Sequence, residues 1–516
     1  MIQKLIILAL LTAFMTDGIR LTFDSGQEPT IKDKKSKEKT QGIKPWTENK
    51  FYWEYKGKPI LLLGGFNHGH NPFIDGSTLD TIPVEDITTI TRQINEMVSS
   101  GGNVLRCVLD PGSAVKDGID SYRRVNNGKF DLNYPEGEYW ERLSAFIKAA
   151  EKKDVIVEIE IWDRFDWQQE NWDPSPFNPS NNINYSIHNT NLKTSYQRRQ
   201  IYHNHPMATG TPGHPQYENA DSKIKEKYDL VRKYQEIYVS KVYQVAKKHQ
   251  NVLYNMNNET SEHHSWGEYW IKYLKNVAAR DGEKIICTNM VDNIFDPVKS
   301  ERFEHQLNHP ELYDYLDVSQ VNSRLRDEKH WETVKYISDK AKKNGLLLHM
   351  TKLYGNDSWE PAPWAHWKPG DSDNAIEEWW HNLIAGVAGV RFHRPTSGIG
   401  LSNKAKACIA ATRKIERKVK FWNVNPKMDL LSERESDEAY LAARPGNEYI
   451  LYFTHQGGGS VGLDLNEYPD ERFTVFWVNI DTGKWGPKEK VEGGRIQIIK
   501  RPDKSAHWVA AIIKQI

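Results

Sequence analysis

A chain of 516 residues is longer than one ordinary domain. Length alone predicts about two to four, with a barrel of about 250 residues or more permitted as a single unit. Its 38% hydrophobic and 27% charged content describe a soluble globular protein, and a formal net charge of zero excludes the global field of a nucleic-acid or membrane-surface binder.

The N-terminus reads as an export signal over residues 1–23. Lys4 supplies the positive region and Leu5 to Met15 the apolar run, which is too short to span a bilayer comfortably. An uncleaved anchor is the alternative. Residues 24–44 are polar and charged and read as a disordered spacer. The expected location is periplasmic or extracellular, with no stable membrane span after signal removal.

From about residue 50 to 420 short apolar runs alternate with amphipathic stretches, the signature of a parallel α/β fold. The runs are ILLLGGF (60–66), NVLRCVLD (103–110), DVIVEIEIW (154–162), NVLYNMN (251–257), KIICTNM (284–290), YLDVSQV (315–321), LLLHMTKL (346–353) and GVRFHR (389–394). Eight runs suit a closed eightfold barrel better than an open sheet. Helices are expected over 84–100, with Ile87, Ile90, Ile94 and Met97 on one face, and over 138–153, 221–250 and 374–389. The connection 164–220 breaks the rhythm. Its Phe165, Trp167, Trp172, Phe177, Tyr185 and Tyr202 predict an ordered lid or cleft wall. After about residue 425 short strands and tight turns such as RPGNE and DTGKW read as an antiparallel sandwich. The expected fold is therefore α/β: a (β/α)8 TIM barrel over 45–422, followed by a small antiparallel β-sandwich over 426–516. Cys107, Cys287 and Cys408 show no metal or disulfide spacing and read as buried apolar residues.

In such a barrel the chemistry lies at the C-terminal strand ends. The fourth run ends in Asn257-Asn258-Glu259. A carboxylate just past an apolar strand, flanked by amides, suits a general acid; a helix-capping Glu is the structural alternative. Asn258-Glu259 resembles the Asn-Glu pair that clan A glycoside hydrolases carry at the end of strand four. That resemblance implies that Glu259 is the acid/base and that Asn258 contacts a sugar hydroxyl. Arg106 looks like the clan's strand-two arginine, which supports the catalytic carboxylates. EEWWHNLIAGVAGVRFHRP is similar to apiosidase-like barrels of that superfamily. The C-terminal ARPGNEYILYF and FTVFWVNIDTGKW look like the collagen-binding-like module that often follows them. The resemblance covers roughly residues 50–516.

One departure matters. Where the clan places a nucleophilic Glu at the end of strand seven, this chain has Thr351-Lys352-Leu353-Tyr354-Gly355, and an ammonium cannot form a glycosyl ester. A glycosidase normally needs two carboxylates, about 5 Å apart for retention or roughly 6.5–9.5 Å for inversion. Asp163 is the favoured partner and Asp357 the next. Asp166 and Glu360 lie nearby, and Glu160 sits within strand three, in step with Glu158 and Trp162. Acids inside a strand are costly unless paired, with Arg106 or Lys352 as the expected partners.

The rest of the rim is basic and His-rich: Asn67, His68, His70, Arg164, Asn322, Arg324, Lys352, His393 and Arg394. Cations gathered at one mouth predict an anionic ligand, here a uronic-acid-containing or sulfated glycan, unless they pair with local acids. The expected reaction is glycosidic bond hydrolysis by Glu259 and Asp163. Asn258, Arg106, His68, His70, Trp162, Arg164, Asn322, Lys352, Tyr354, His393 and Arg394 would bind the sugar. Neither a cofactor nor a metal is expected. Two rival readings are a non-catalytic glycan-binding barrel, favoured by Lys352, and a metal-dependent barrel hydrolase using His68, His70 and His393.

Overall fold

A computed structural model describes residues 42–67, 71–73, 87–167, 169–196, 204–292, 296, 300–360 and 367–515. Strands and helices alternate through the first four-fifths: β1 (Leu62–Gly64), α1 (Ile87–Ser99), β2 (Val104–Val108), α2 (Glu138–Glu151), β3 (Ile156–Asp163), α3 (Ser222–Ala246), β4 (Val252–Asn258), α4 (His264–Arg280), β5 (Cys287–Thr288), α5 (Glu301–Leu307), β6 (Tyr315–Asp317), α6 (Asp327–Lys343), β7 (Leu347–Leu353), α7 (Ser372–Ile384), β8 (Gly389–Phe392) and α8 (Asn403–Glu416). Each of the eight apolar runs contains one strand. Their unbroken hydrophobicity follows from burial on both faces, as parallel strands require. Within α1, Ile90, Ile94 and Met97 are buried.

The strands form two four-stranded parallel sheets, ordered β5-β4-β3-β2 and β6-β7-β8-β1. Polar side chains at their edges replace missing ladder bonds. At one seam Asn103 N donates to Leu63 O at 2.7 Å, while Asn103 Oδ1 accepts from Leu63 N at 2.9 Å. At the other, Asp314 N donates to Cys287 O at 2.9 Å, and Asp314 Oδ2 accepts from Cys287 N at 2.8 Å.

β8 begins with a glycine because a Cβ there would sit 2.1 Å from Nδ1 of the buried His349 on β7. Gly389→Ala is therefore expected to cost roughly 1–3 kcal/mol by overpacking, read as a lower urea midpoint at unchanged slope.

Residues 1–23 and most of the expected spacer lie outside the described residues. The end of that spacer belongs to the fold: Ile43 is buried, its N–H donates to Gln250 O at 3.0 Å, and Lys44 pairs with Glu54 in a small antiparallel sheet. Among the described residues no helix is long and apolar enough to cross a membrane. The three cysteines are free and buried.

Aromatic rings of the 164–220 connection pack into the core. Trp167, Trp172, Phe177 and Tyr185 are buried; Tyr202 lies outside the described residues. Two histidines of this connection cap short helices: His205 Nδ1 accepts from Met207 N and His214 Nδ1 from Gln216 N, both at 3.1 Å.

The C-terminal part holds β9 (Asn425–Pro426), β10 (Leu431–Ser432), β11 (Ala439–Arg444), β12 (Glu448–Phe453), β13 (Ser460–Asp464), β14 (Arg472–Asn479), β15 (Lys484–Glu492), β16 (Ile496–Lys500) and β17 (Trp508–Lys514). An antiparallel sheet ordered β9-β11-β12-β17-β14-β15 lies beside a second ordered β10-β13-β16. Period-two alternation gives the larger sheet two apolar faces. Leu441, Leu451, Val475 and Ala510 share a cluster with Val461 and Leu463 of the smaller sheet. Tyr440, Tyr452 and Val509 join the main core, where Tyr452 stacks on Trp380 of α7 at 5.6 Å between centroids. The β11–β12 and β14–β15 turns carry Gly446 (φ 75°) and Gly483 (φ 65°), left-handed conformations that favour glycine.

Candidate active site

The lower layer of the site is an ionic network inside the parallel strands. Glu158 and Glu160 of β3 are fully buried; Glu160 is matched by a cation, whereas Glu158 is held by an amide. Arg106 of β2 grips Glu160 with two bonds, Nε to Oε1 at 2.6 Å and Nη2 to Oε2 at 2.5 Å. Glu158 Oε1 accepts from Asn255 Nδ2 at 2.9 Å, and His349 Nε2 lies 3.3 Å from its Oε2. Of the two cations expected to pair with these acids, Arg106 is the direct partner of Glu160.

Above this layer Asn258 is the hub. Its Oδ1 accepts from Arg106 Nη2 at 2.7 Å and from Lys352 Nζ at 2.6 Å; its Nδ2 donates to Asp163 Oδ1 at 3.0 Å. The next residue, Glu259, has φ 53°, a left-handed conformation that costs roughly 1–2 kcal/mol in a non-glycine residue. Consecutive strand side chains face opposite ways, yet Lys352 Nζ reaches Glu259 Oε1 as well, at 2.6 Å. The left-handed residue ends the alternation and permits both contacts. Arg164 completes the ring, bonding Glu259 Oε2 at 3.2 Å, Ser261 Oγ at 3.0 Å and Asp292 Oδ2 at 2.5 Å.

These contacts split the carboxyl groups into two protonation classes. Burial alone would raise the pKa of Glu259, but the Lys352 ammonium and the Arg164 guanidinium overcome it and hold Glu259 well below the usual carboxylate range. Asp163 goes the other way. Burial, aided by the negative charge of Glu259 and opposed by the Phe165 N–H and Asn258, pushes it up to about 6. Its Oδ1 accepts from Phe165 N at 3.0 Å and from Asn258 Nδ2. Asp166 is pushed up to about 8, chiefly by burial. Asp110, at the end of the β2 run, is also raised by burial and by these two neighbours; its Oδ2 accepts from Asn71 Nδ2 at 3.0 Å. Asp110 and Asp292 were not singled out in the sequence, although both stand where apolar runs end.

Glu259, Asp163, Asn258, Arg106, Lys352 and Arg164 therefore come together. Tyr354 is buried beside them, its ring 4.8 Å from that of His393. The charges of Glu259, Arg394 and Arg106 act on its hydroxyl. Arg394, whose Nε donates to Thr396 Oγ1 at 2.7 Å, feels Arg106, Glu259 and Asp163. His68 and His70 lie outside the described residues.

Three expectations are corrected. Trp162 does not face the mouth; it is buried against Tyr238 of α3 (5.0 Å) and Trp270 of α4 (5.4 Å). Alternation from Glu158 and Glu160 fails in the last residues of β3, where Asp163 takes the inward place. Asn322 is a scaffold residue: its Nδ2 donates to Lys352 O at 2.9 Å, while its Oδ1 accepts from His330 at 2.8 Å and Asn382 at 3.2 Å. Those bonds fill its carbonyl oxygen, engage one N–H and hold the strand that carries Lys352. Asp357 is exposed and accepts from Ser372 N at 2.8 Å, so it caps the start of α7 instead of facing Glu259. The gathered cations are also largely spent, with Arg106 on Glu160, Lys352 on Glu259 and Arg164 on Glu259 and Asp292.

Among solved structures, the chain is similar to a glycoside hydrolase family 5 protein from Bacteroides vulgatus, at 10% identity and a TM-score of 0.60 over 92% of this chain and 94% of that one. It is equally similar in sequence to a second structure titled glycoside hydrolase, at 10% identity and a TM-score of 0.56 over 92% and 97% of the two chains. The likeness is one of fold. No family model and no curated protein matches the sequence.

Proposed function

We propose that the chain is an exported glycoside hydrolase. On this reading the eight parallel strands close into one (β/α)8 barrel over about 45–422, the two C-terminal sheets form a sandwich over 426–516, and kinship with apiosidase-like barrels and their collagen-binding-like module accounts for the sequence resemblance. The observation that carries the proposal is the hydrogen-bonded line Asp163–Asn258–Lys352–Glu259 at the strand ends. It joins two carboxyl groups whose pKa values are pushed in opposite directions, the division between proton donor and charged partner that glycosidic hydrolysis uses. Known proteins of the same fold carry the glycoside hydrolase name.

The roles differ from those implied by the resemblance. Glu259, ionised by two cations, is the charged partner that faces the anomeric centre or its attacking water. Asp163, raised to about 6, is the proton donor to the leaving oxygen. Asn258 spaces the pair, and Arg106, Lys352 and Arg164 set its charges. An acidic sugar unit would be met by Arg394, which stands within electrostatic reach of Glu259 and Asp163. The test is release of reducing ends from a panel of neutral and acidic polysaccharides. Hydrolysis of neutral glycans only would refute the acidic substrate; hydrolysis of none would refute the enzyme.

The sign of the pH dependence follows. Asp163 acts while protonated, so activity is held below about pH 6 and lost as pH rises through its pKa. Asp163→Asn should lower turnover by about 10²- to 10⁴-fold and abolish that alkaline limb, measured as kcat/KM against pH. An unchanged limb would remove Asp163 from the role.

One observation favours a second reading, a glycan-binding barrel without turnover: the Lys352–Glu259 ion pair, which drains basicity from the carboxylate. Binding by calorimetry with no product from any glycan of the panel would support it.

A further inference from the structure

A second cluster lies away from the strand ends, where α7 meets the C-terminal sheet. Glu377 of α7 is buried, 2% exposed, and among the described residues neither of its carboxylate oxygens accepts a hydrogen bond. A buried, unmatched carboxylate is costly, and such a group calls for a partner. Two histidines from the C-terminal part face it. His455 Nδ1 lies 3.5 Å and His507 Nε2 4.0 Å from Glu377 Oε1, and the two nitrogens are 3.2 Å apart. Tetrahedral zinc with bonds of about 2.0–2.1 Å has ligand atoms roughly 3.3 Å from one another, close to this triangle.

The surroundings suit ligation. Asp481 receives His507 at both ends of the residue: Oδ2 accepts the backbone N–H at 2.9 Å, and Oδ1 lies 3.1 Å from Nδ1. A carboxylate on Nδ1 keeps the proton there and turns the Nε2 lone pair toward Glu377, the orientation that zinc-bound histidines adopt. The Gln456 amide lies 3.0 Å from His455 Nε2, where its carbonyl, after rotation of the amide, takes the Nε2–H and frees Nδ1. Without a cation, a His455–His507 hydrogen bond consumes both facing nitrogens and still leaves Glu377 unmatched. His455 is half-buried, which supplies an entry path.

We propose that Glu377, His455 and His507 bind a divalent transition-metal ion of the zinc class, with solvent in the fourth position, and that this ion fastens α7 to the C-terminal sheet. The consequence reaches the candidate active site through the neighbouring residue. Glu378 Oε2 accepts from Tyr354 N at 3.0 Å, and Oε1 accepts from Arg326 at 2.7 Å, so the seating of α7 helps to seat Tyr354. The proposal is independent of the hydrolase reading.

Three other groups compete for metal; one of them, Glu158, Glu160 and Asp317, lies inside the parallel strands, where Arg106 already holds Glu160. His264, Glu268 and His305 also lie together, but there Glu268 is already matched by Lys272 and His305, both at 2.8 Å. Asp327 and Asp437 also lie near Glu377, but Asp437 Oδ1 is taken by the Tyr440 hydroxyl at 2.5 Å. The experiment is zinc titration of the full chain after chelator dialysis, followed by elemental analysis and thermal melting. The expected result is one zinc retained per chain and a higher Tm. Both should be lost in His455→Ala/His507→Ala and in the milder His455→Gln, and both kept in His305→Ala. No zinc retained by the unaltered chain, or zinc retained by the His455 and His507 variants, overturns the proposal.

Discussion

Glu259→Gln is expected to lower glycan hydrolysis by about 10³-fold or more while leaving the chain folded. The substitution removes one negative charge and keeps an acceptor of the same shape. Lys352 retains Asn258 Oδ1 at 2.6 Å and Arg164 retains Asp292 at 2.5 Å, so neither cation is stranded. The stability loss should stay near 1–3 kcal/mol, the range of a hydrogen bond to a charged group. A second readout separates charge from shape. The negative charge of Glu259 is one of the influences raising Asp163, so residual activity in the variant should lose its alkaline limb at a lower pH than the parent. Full activity in Glu259→Gln would end the two-carboxylate mechanism. Retained glycan affinity beside lost turnover is the outcome that fits hydrolysis.

The largest stability effect is expected at Arg106. Arg106→Met removes the only cation that bonds Glu160 directly among the described residues and takes a donor from Asn258. Leaving a fully buried carboxylate without its partner costs about 3–5 kcal/mol, seen as a lower denaturant midpoint. The pH dependence identifies the cause. Burial already raises Glu160, against the opposing pull of Arg106 and Lys352, and the substitution raises it further. A carboxyl group whose folded pKa exceeds its unfolded value of about 4.3 penalises the folded state increasingly as pH rises above that value. The variant should therefore approach the parent in stability at acid pH and diverge toward neutrality. Arg106→Met/Glu160→Gln should recover much of the loss, and a double variant no better than the single would show that the pairing is not the source.

Much of the architecture was legible because strand and helix patterns are local. Each of the eight apolar runs became a strand, since a strand buried on both faces must be continuously hydrophobic, and the glycines of RPGNE and DTGKW mark turns with φ near 65–75°. Asn258, Glu259 and Asp163 could be chosen because chemistry in such folds gathers at strand ends. Trp162 was misplaced because period two carries Glu158 and Glu160 inward and does not announce where the alternation stops. Asn322 and Asp357 were misplaced for another reason: a polar residue near a strand end looks the same whether it meets a ligand, a neighbouring backbone or a helix start. The aromatic connection 164–220 read as a cleft wall because its rings were visible but their partners on α3 and α4 were not.

By itself, then, the sequence determined which segments are strands and helices and which side chains stand at the strand ends, because those properties depend on neighbours a few positions away. Tertiary structure alone decided which acid has its pKa lowered and which has it raised. Lys352 meets Glu259 from 93 positions away in the chain and Arg106 meets Glu160 from 54. In a buried site of low dielectric the charge state of a carboxyl group follows the cations within a few ångströms of it, and only folding brings those cations there.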